Sequence, residues 1–145
     1  TEPSVYFSPH DDCERASEMT FARAKSSVDI CVFTITDDRI TRAILDAARR
    51  KIAVRIITDD DKSYDRGSDI AELAQAGIPV RHDRSEYHMH HKFAVFDRTT
   101  TLTGSYNWTR GAANNNQENL VISQDAKLCT AFEREFQRLW QQWGG

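Results

Sequence analysis

Six residues in the second half of the chain carry side chains that together suit one reaction. His90 and Lys92 stand two apart, Ser105 and Asn107 stand two apart after Gly104, and Asp97 and Glu118 contribute carboxylates. Cleavage of a phosphodiester needs such an inventory: an imidazole to attack phosphorus, a cation and amide or hydroxyl donors for the nonbridging oxygens, and an acid for the departing alkoxide. On a β-strand, side chains two apart share a face. A strand from Met89 to Phe96 therefore projects His90 and Lys92 together and sends His91, Phe93 and Val95 the other way. Gly104 lets the backbone turn or approach closely, and Ser105 and Asn107 then add two polar groups to that face.

The elements that must position these residues alternate between period two and period three to four, the pattern of an α/β domain: a layered sandwich with a mixed central sheet flanked by helices. Strands are expected at Val5–Phe7, Val28–Ile35, Ala53–Thr58, Ile78–Arg81, Met89–Phe96, Thr100–Thr103 and Asn119–Ile122, with Asp97–Thr99 turning a hairpin. Helices are expected at Cys13–Lys25, after Asp37 and Asp38, at Asp69–Gln75 and from Asp125 to Trp143. In the second of these Ile40, Ile44 and Ala47 fall on one buried face. In the last, Phe132, Phe136, Leu139 or Trp140, and Trp143 form an apolar stripe that reads as core. The polar stretch from Asp59 to Ser68 reads as a surface loop.

Length and composition limit the rest. A chain of 145 residues, 39% hydrophobic, suits one domain over residues 1–145, and no apolar run approaches the length of a membrane span. The expectation is a soluble protein. Three cysteines at wide spacing indicate packing rather than a disulfide framework or a zinc site. A net charge of −3 argues mildly against a polyanionic substrate, although a local basic groove overrides a global sum. The basic run Arg49, Arg50 and Lys51 sits where a helix ends and favours its dipole. Thr1 stands where a gene would begin with Met, so a signal peptide, a boundary or a larger parent protein is expected upstream. The compartment is periplasmic or secreted in the first case and cytoplasmic otherwise.

The pattern His90-x-Lys92-x4-Asp97-x6-Gly104-Ser105-x-Asn107 resembles the signature of the phospholipase D superfamily, in the branch whose members hold one copy of it. Asn107, Trp108 and Glu118 extend the likeness, which is nearest to bacterial Nuc-like endonucleases and to the Zucchini-like mitochondrial branch and strongest from His88 to Ile122. The resemblance implies a covalent phosphohistidine on His90, an in-line displacement, and a second, protonated histidine beyond the phosphorus to release the leaving oxygen. One chain supplies one motif, so a homodimer is implied, with the active site on the two-fold axis. Lys92 from both copies would neutralise the phosphate, and Ser105 and Asn107 would orient it. Glu118 would accept from Nδ1 of His90, so that Nε2 faces phosphorus. With these cations in place no metal or other cofactor is called for. Asp97 joins the catalytic set by its place in the motif, yet strand parity puts it on the opposite face, so a role in the following turn is preferred.

A largely nonspecific endonuclease acting on DNA or RNA is the leading reading, because a symmetric charged groove reads phosphates rather than base edges; 5′-phosphate ends are what the resemblance implies. A phospholipid hydrolase comes second, for want of an amphipathic basic helix to meet a membrane. The catalytic part of a larger effector or restriction system, or a binding module, comes third. Zinc held by His88, His90 and His91 is disfavoured by Lys92 on the same face. His88 is expected to border the site, and His10, His82 and His91 to be ordinary residues. Tyr64, Arg66, Arg84, Tyr87 and Arg110 are loop residues placed to line a groove.

Overall fold

The computed structural model describes residues 2–59, 68–83, 85, 87–109, 111 and 115–144. Most of the expected Asp59–Ser68 loop, together with Tyr64, Arg66, Arg84 and Arg110, lies outside the described residues. The elements run β1 (Ser4–Ser8), α1 (Cys13–Arg23), β2 (Ser27–Val32), α2 (Asp38–Arg49), β3 (Ala53–Asp59), α3 (Ile70–Gln75), β4 (Val80–Asp83), β5 (Lys92–Phe96), β6 (Thr100–Gly104), β7 (Glu118–Ser123) and α4 (Ala126–Gln142). Aspartates start three of the helices: Asp12, Asp37 and Asp125 accept from the backbone N–H groups of Arg15, Arg39 and Leu128. Gly77 at φ 94° stops α3, a conformation that a Cβ would strain.

One seven-stranded sheet has the order β1-β7-β6-β5-β2-β3-β4. β2, β3 and β4 are parallel; every pairing from β2 through β5, β6 and β7 to β1 is antiparallel. Alternate residues of the strands feed two cores. Val28, Ile30, Val54, Ile56, Ala94 and Leu102 pack under α1, α2 and α3, whereas Cys31, Ile57, Phe93 and Val95 pack under Phe136 and Leu139 of α4. Phe132, Trp140 and Trp143 complete the α4 stripe as partly buried neighbours of that second core. All three cysteines are buried and free. Among the described residues no helix is long and apolar enough to cross a membrane.

The register decides which strand ends meet. Val32 pairs with Lys92, Gly104 with Leu120 and Ser8 with Glu118, so the C-terminal ends of β1, β2, β3, β4 and β6 share one rim with the N-terminal ends of β5 and β7. The expected strands shift at this rim. β2 stops at Val32 rather than Ile35, because the chain turns away and Ile35 bridges Trp108 instead. β5 accordingly starts at Lys92, not Met89, since β2 no longer runs alongside. A last bond from Phe33 N–H to the His91 carbonyl (3.0 Å) ends the ladder. β4 lies two residues later than expected, over Val80–Asp83.

Asp97 sits at the opposite rim. It is five residues beyond Lys92, about 16 Å along the strand at roughly 3.3 Å per residue. Asp97 and Arg98 both have positive φ, and Thr99 N–H closes their turn on the Phe96 carbonyl at 3.0 Å. The Asp97 carboxylate accepts from the backbone N–H groups of Lys25 (3.0 Å), Ser26 (2.7 Å) and Ser27 (3.1 Å) and from the Ser26 hydroxyl (3.1 Å). It thereby ties the β5–β6 hairpin to the α1–β2 connection. Burial pushes its pKa up, but these donors outweigh burial and hold it below the ordinary carboxylate value.

A depressed pKa means that the stabilisation is present above the unfolded value near 3.9 and is lost as pH falls through the folded value. Asp97→Asn should therefore cost about 1–3 kcal/mol in urea unfolding at pH 7. The gap to wild type should shrink as the pH is taken below about 4. A gap that stays constant with pH would refute the charge-assisted tie. At the active rim, Gly104 has φ 153° and a Cβ there would run into the Asn119 carbonyl. Gly104→Ala should destabilise the fold by about 1–3 kcal/mol, measured by the same unfolding curves.

Candidate active site

His90, outside the strand, owes its position to three contacts. Met89 N–H donates to the buried Asp59 carboxylate at the end of β3 (2.9 Å), which anchors the chain one residue earlier. The imidazole lies against the Phe33 ring, centroids 4.9 Å apart. Lys92 Nζ reaches back to His90 Nδ1 (3.0 Å) and to the His90 carbonyl (2.9 Å). Lys92 is half-buried and its ammonium lies 5.9 Å from the Phe33 centroid. Burial lowers the pKa of both groups. For His90 the charges of Lys92 and His88 add to the effect and Asp59 opposes them; for Lys92 the opposing charge is Glu118. These effects disfavour the imidazolium in the single chain, and a nucleophile needs the neutral form.

Ser105, Glu118 and Asn119 form a second knot beside the first. The Ser105 hydroxyl donates to Glu118 Oε1 (3.2 Å) and accepts from the backbone N–H (3.0 Å) and side-chain amide (3.2 Å) of Asn119. The expected bond from His90 Nδ1 to Glu118 is therefore replaced on both sides: Nδ1 faces Lys92 and the carboxylate faces Ser105. An ammonium can only donate, so in this state Nδ1 accepts and the neutral ring carries its proton on Nε2. Asn107 follows on the same connection, half-buried, with an Oδ1 that has no hydrogen-bond partner among the described residues. Trp108 anchors that connection: its carbonyl accepts from Thr36 N–H (3.0 Å) and Asp37 N–H (3.2 Å).

The rim therefore gathers His90, Lys92, Ser105, Asn107 and Glu118, and leaves out Asp97, which the motif had grouped with the catalytic set. Parity along β5 is not what joins His90 to Lys92, because only Lys92 belongs to the strand; the side-chain bond does so. The three neighbouring histidines diverge rather than converge. His88 lies 3.4 Å from Asp59, His90 faces Lys92, and His91 lies 3.4 Å from Glu135 on α4. His10 is exposed in the turn after β1, His82 lies on β4, and Tyr87 is exposed. Phe33, Asp59 and Asn119 were not foreseen. The one available signal was position, since all three stand at strand ends on the rim where open α/β sheets bind ligands. The N-termini of α1 and α2 open at that rim as well, and their positive ends favour an anion there.

An imidazole, an ammonium and amide donors converging on an open rim, with the carboxylate held back behind a serine, suit a phosphoryl group. Comparison with known proteins agrees. The family model described as "Cardiolipin synthase, PLD-like domain" matches residues 19–140. The chain is 47% identical over 117 residues to the mitochondrial cardiolipin hydrolase of Chlamydomonas reinhardtii, covering 81% of this chain and 52% of that protein. It is 42% identical over 119 residues to the Homo sapiens hydrolase, covering 82% and 47%. The chain thus spans about half the length of these relatives. Among solved structures, the phospholipase D family member Nuc from Salmonella typhimurium superposes with a TM-score of 0.87 at 32% identity, covering 97% of this chain and 96% of that one. NucT from Helicobacter pylori gives 0.89 at 25% identity with the same coverage. The chain belongs to the phospholipase D superfamily of phosphodiesterases, in its single-motif branch.

Proposed function

We propose that the chain is a metal-independent endonuclease of low sequence selectivity, acting through a phosphohistidine at His90, with each active site built from two copies. The observation that carries this reading is the meeting of one neutral imidazole and one ammonium on an open rim. That is half of what an in-line displacement requires. The other half, a protonated imidazole on the far side of phosphorus, is the same histidine of a second copy brought round a two-fold axis.

An arriving phosphodiester offers Lys92 a charged acceptor in place of His90 Nδ1, and the ammonium moves to a nonbridging oxygen. Nδ1 is then free to hold the ring proton, which exposes the Nε2 lone pair. Nε2 bonds to phosphorus, the bond to the leaving oxygen breaks, and the opposing imidazolium donates its proton to that oxygen. Water, deprotonated by the now neutral opposing imidazole, then displaces His90 and releases the phosphomonoester. Two lysines and an imidazolium supply the charge stabilisation for which many phosphodiesterases use a divalent cation. Asn107 orients the nonbridging oxygens, and Ser105 joins it when its hydroxyl leaves Glu118.

The near-complete overlap with Nuc and NucT favours a nucleic-acid substrate. The higher identity to cardiolipin hydrolases favours a second reading, hydrolysis of an anionic phospholipid by the same residues. Incubation in excess EDTA with single-stranded DNA, duplex DNA, RNA and cardiolipin vesicles separates the two. Nucleic-acid cleavage that falls by about a thousandfold or more in His90→Ala is expected. Release of phosphatidic acid without nucleic-acid cleavage would move the chain to the lipid reading, and activity only after metal addition would refute the mechanism. Sedimentation of the active species should give a dimer; a fully active monomer would remove the shared site.

A further inference from the structure

A buried charge cluster that the reaction itself does not use is joined to the connection that carries Ser105 and Asn107 by the bond from Asp37 N–H to the Trp108 carbonyl (3.2 Å). Asp37, 0% exposed, caps α2 and chelates Arg39 through Nε (3.0 Å) and Nη2 (2.8 Å). The remaining guanidinium nitrogen, Nη1, lies 3.4 Å from Glu14 Oε1 on the first turn of α1. One cation thus serves two buried carboxylates. The other oxygen, Glu14 Oε2, and the hydroxyl of Tyr106 are both buried with no hydrogen-bond partner among the described residues. Tyr106 stands between Ser105 and Asn107, and its ring is 1% exposed. Burial raises the pKa of its phenol, as do Asp37, Glu14 and Cys13, while Arg39 opposes them, so its hydroxyl end feels this cluster directly.

We infer that Glu14 is a positioning residue for the phosphate-facing connection Ser105–Asn107, acting through Tyr106 together with Arg39 and Asp37. The neutral carboxyl leaves the cluster balanced, with Asp37 against Arg39. Ionisation places a second negative charge next to Asp37, and among the described residues Arg39 is the cation that pairs with both. The groups facing Glu14 are Glu18 on its own helix, Asp37 and Arg39 at the start of α2, and Tyr106 on the β6–β7 connection. Burial, the neighbouring Glu18 carboxyl and the charge of Asp37 push the Glu14 carboxyl up to about 8, against the pull of Arg39. A proton is therefore lost within the working range of a neutral-pH enzyme, and Tyr106 transmits the change to its two neighbours. Trp108, pinned to Thr36 and Asp37, holds the far end of the same connection, so the displacement falls on residues 105–107.

The inference rests on the phosphodiesterase reading only for what the connection is for, and its test does not require activity. Backbone amide resonances of Ser105 and Asn107 are followed by NMR in the full chain from pH 6 to pH 10. In wild type they should titrate with a midpoint near the Glu14 value of about 8, while Ser26 and Ser27 at the opposite rim stay still. In Glu14→Gln that titration should vanish, and in Tyr106→Phe, which keeps the ring and removes the hydroxyl, it should shrink. If the phosphodiesterase reading also holds, the ratio of wild-type to Glu14→Gln kcat should fall by about tenfold as pH rises past the midpoint. The wild-type titration stands as a test even if Glu14→Gln does not fold. Amides of Ser105 and Asn107 that do not move, or that move alike in wild type and Glu14→Gln, would overturn the inference whatever the substrate proves to be.

Discussion

The antiparallel insertion of β5 between β2 and β6 is the constraint on which the rest of this molecule depends. A parallel strand in that position would bring Lys92 to the rim occupied by Asp97. Running backwards, β5 sets Lys92 opposite Val32, and the hairpin that follows returns Gly104 and Ser105 to the same level. β7, antiparallel again, then starts there with Glu118. Three chain reversals thus deliver an ammonium, a hydroxyl, an amide and a carboxylate to one end of the sheet without any of them being adjacent in sequence. The Asp97 knot at the opposite end sets the hairpin turn against the α1–β2 connection and so holds that arrangement in register.

The rim is also where the protein concentrates charge that is costly to bury. Asp59, Asp37 and Glu14 are all nearly inaccessible, and each is used to hold backbone or a cation near the site. Asp59 fixes Met89, Asp37 fixes Arg39 and the start of α2, and Glu14 meets the same Arg39. Such groups pack less economically than apolar ones. Asp37 and Glu14 lie on the side of the phosphate-facing connection, and Asp59 anchors the His90 segment, which also rests on Phe33.

The two substrate classes weighed for this chain make the same demand on a catalytic rim. A phosphodiester presents the same two nonbridging oxygens and the same leaving alkoxide whether it joins nucleosides or glycerols. What separates the substrates lies beyond the phosphodiester itself, in what its two bridging oxygens are joined to.

Much of the fold could be read in the sequence because it is local. β-branched runs, aspartate caps and the 3–4 spacing of Ile40, Ile44 and Ala47 act over a few residues, and each produced the expected element with ends displaced by at most three positions. The motif spacing likewise singled out His90, Lys92, Ser105, Asn107 and Glu118, whose side chains must converge for any phosphoryl chemistry. Strand parity misled at His90, since a strand lasts only as long as its partner does and β2 turns away after Val32. The pairing of Glu118 with Ser105 rather than with His90, the use of Phe33 as a floor and of Asp59 as an anchor, and the buried cluster of Asp37, Arg39 and Glu14 had no signal in spacing. These contacts join residues tens of positions apart. They depend on which strand ends share a rim, and that is settled only when all seven strands have paired.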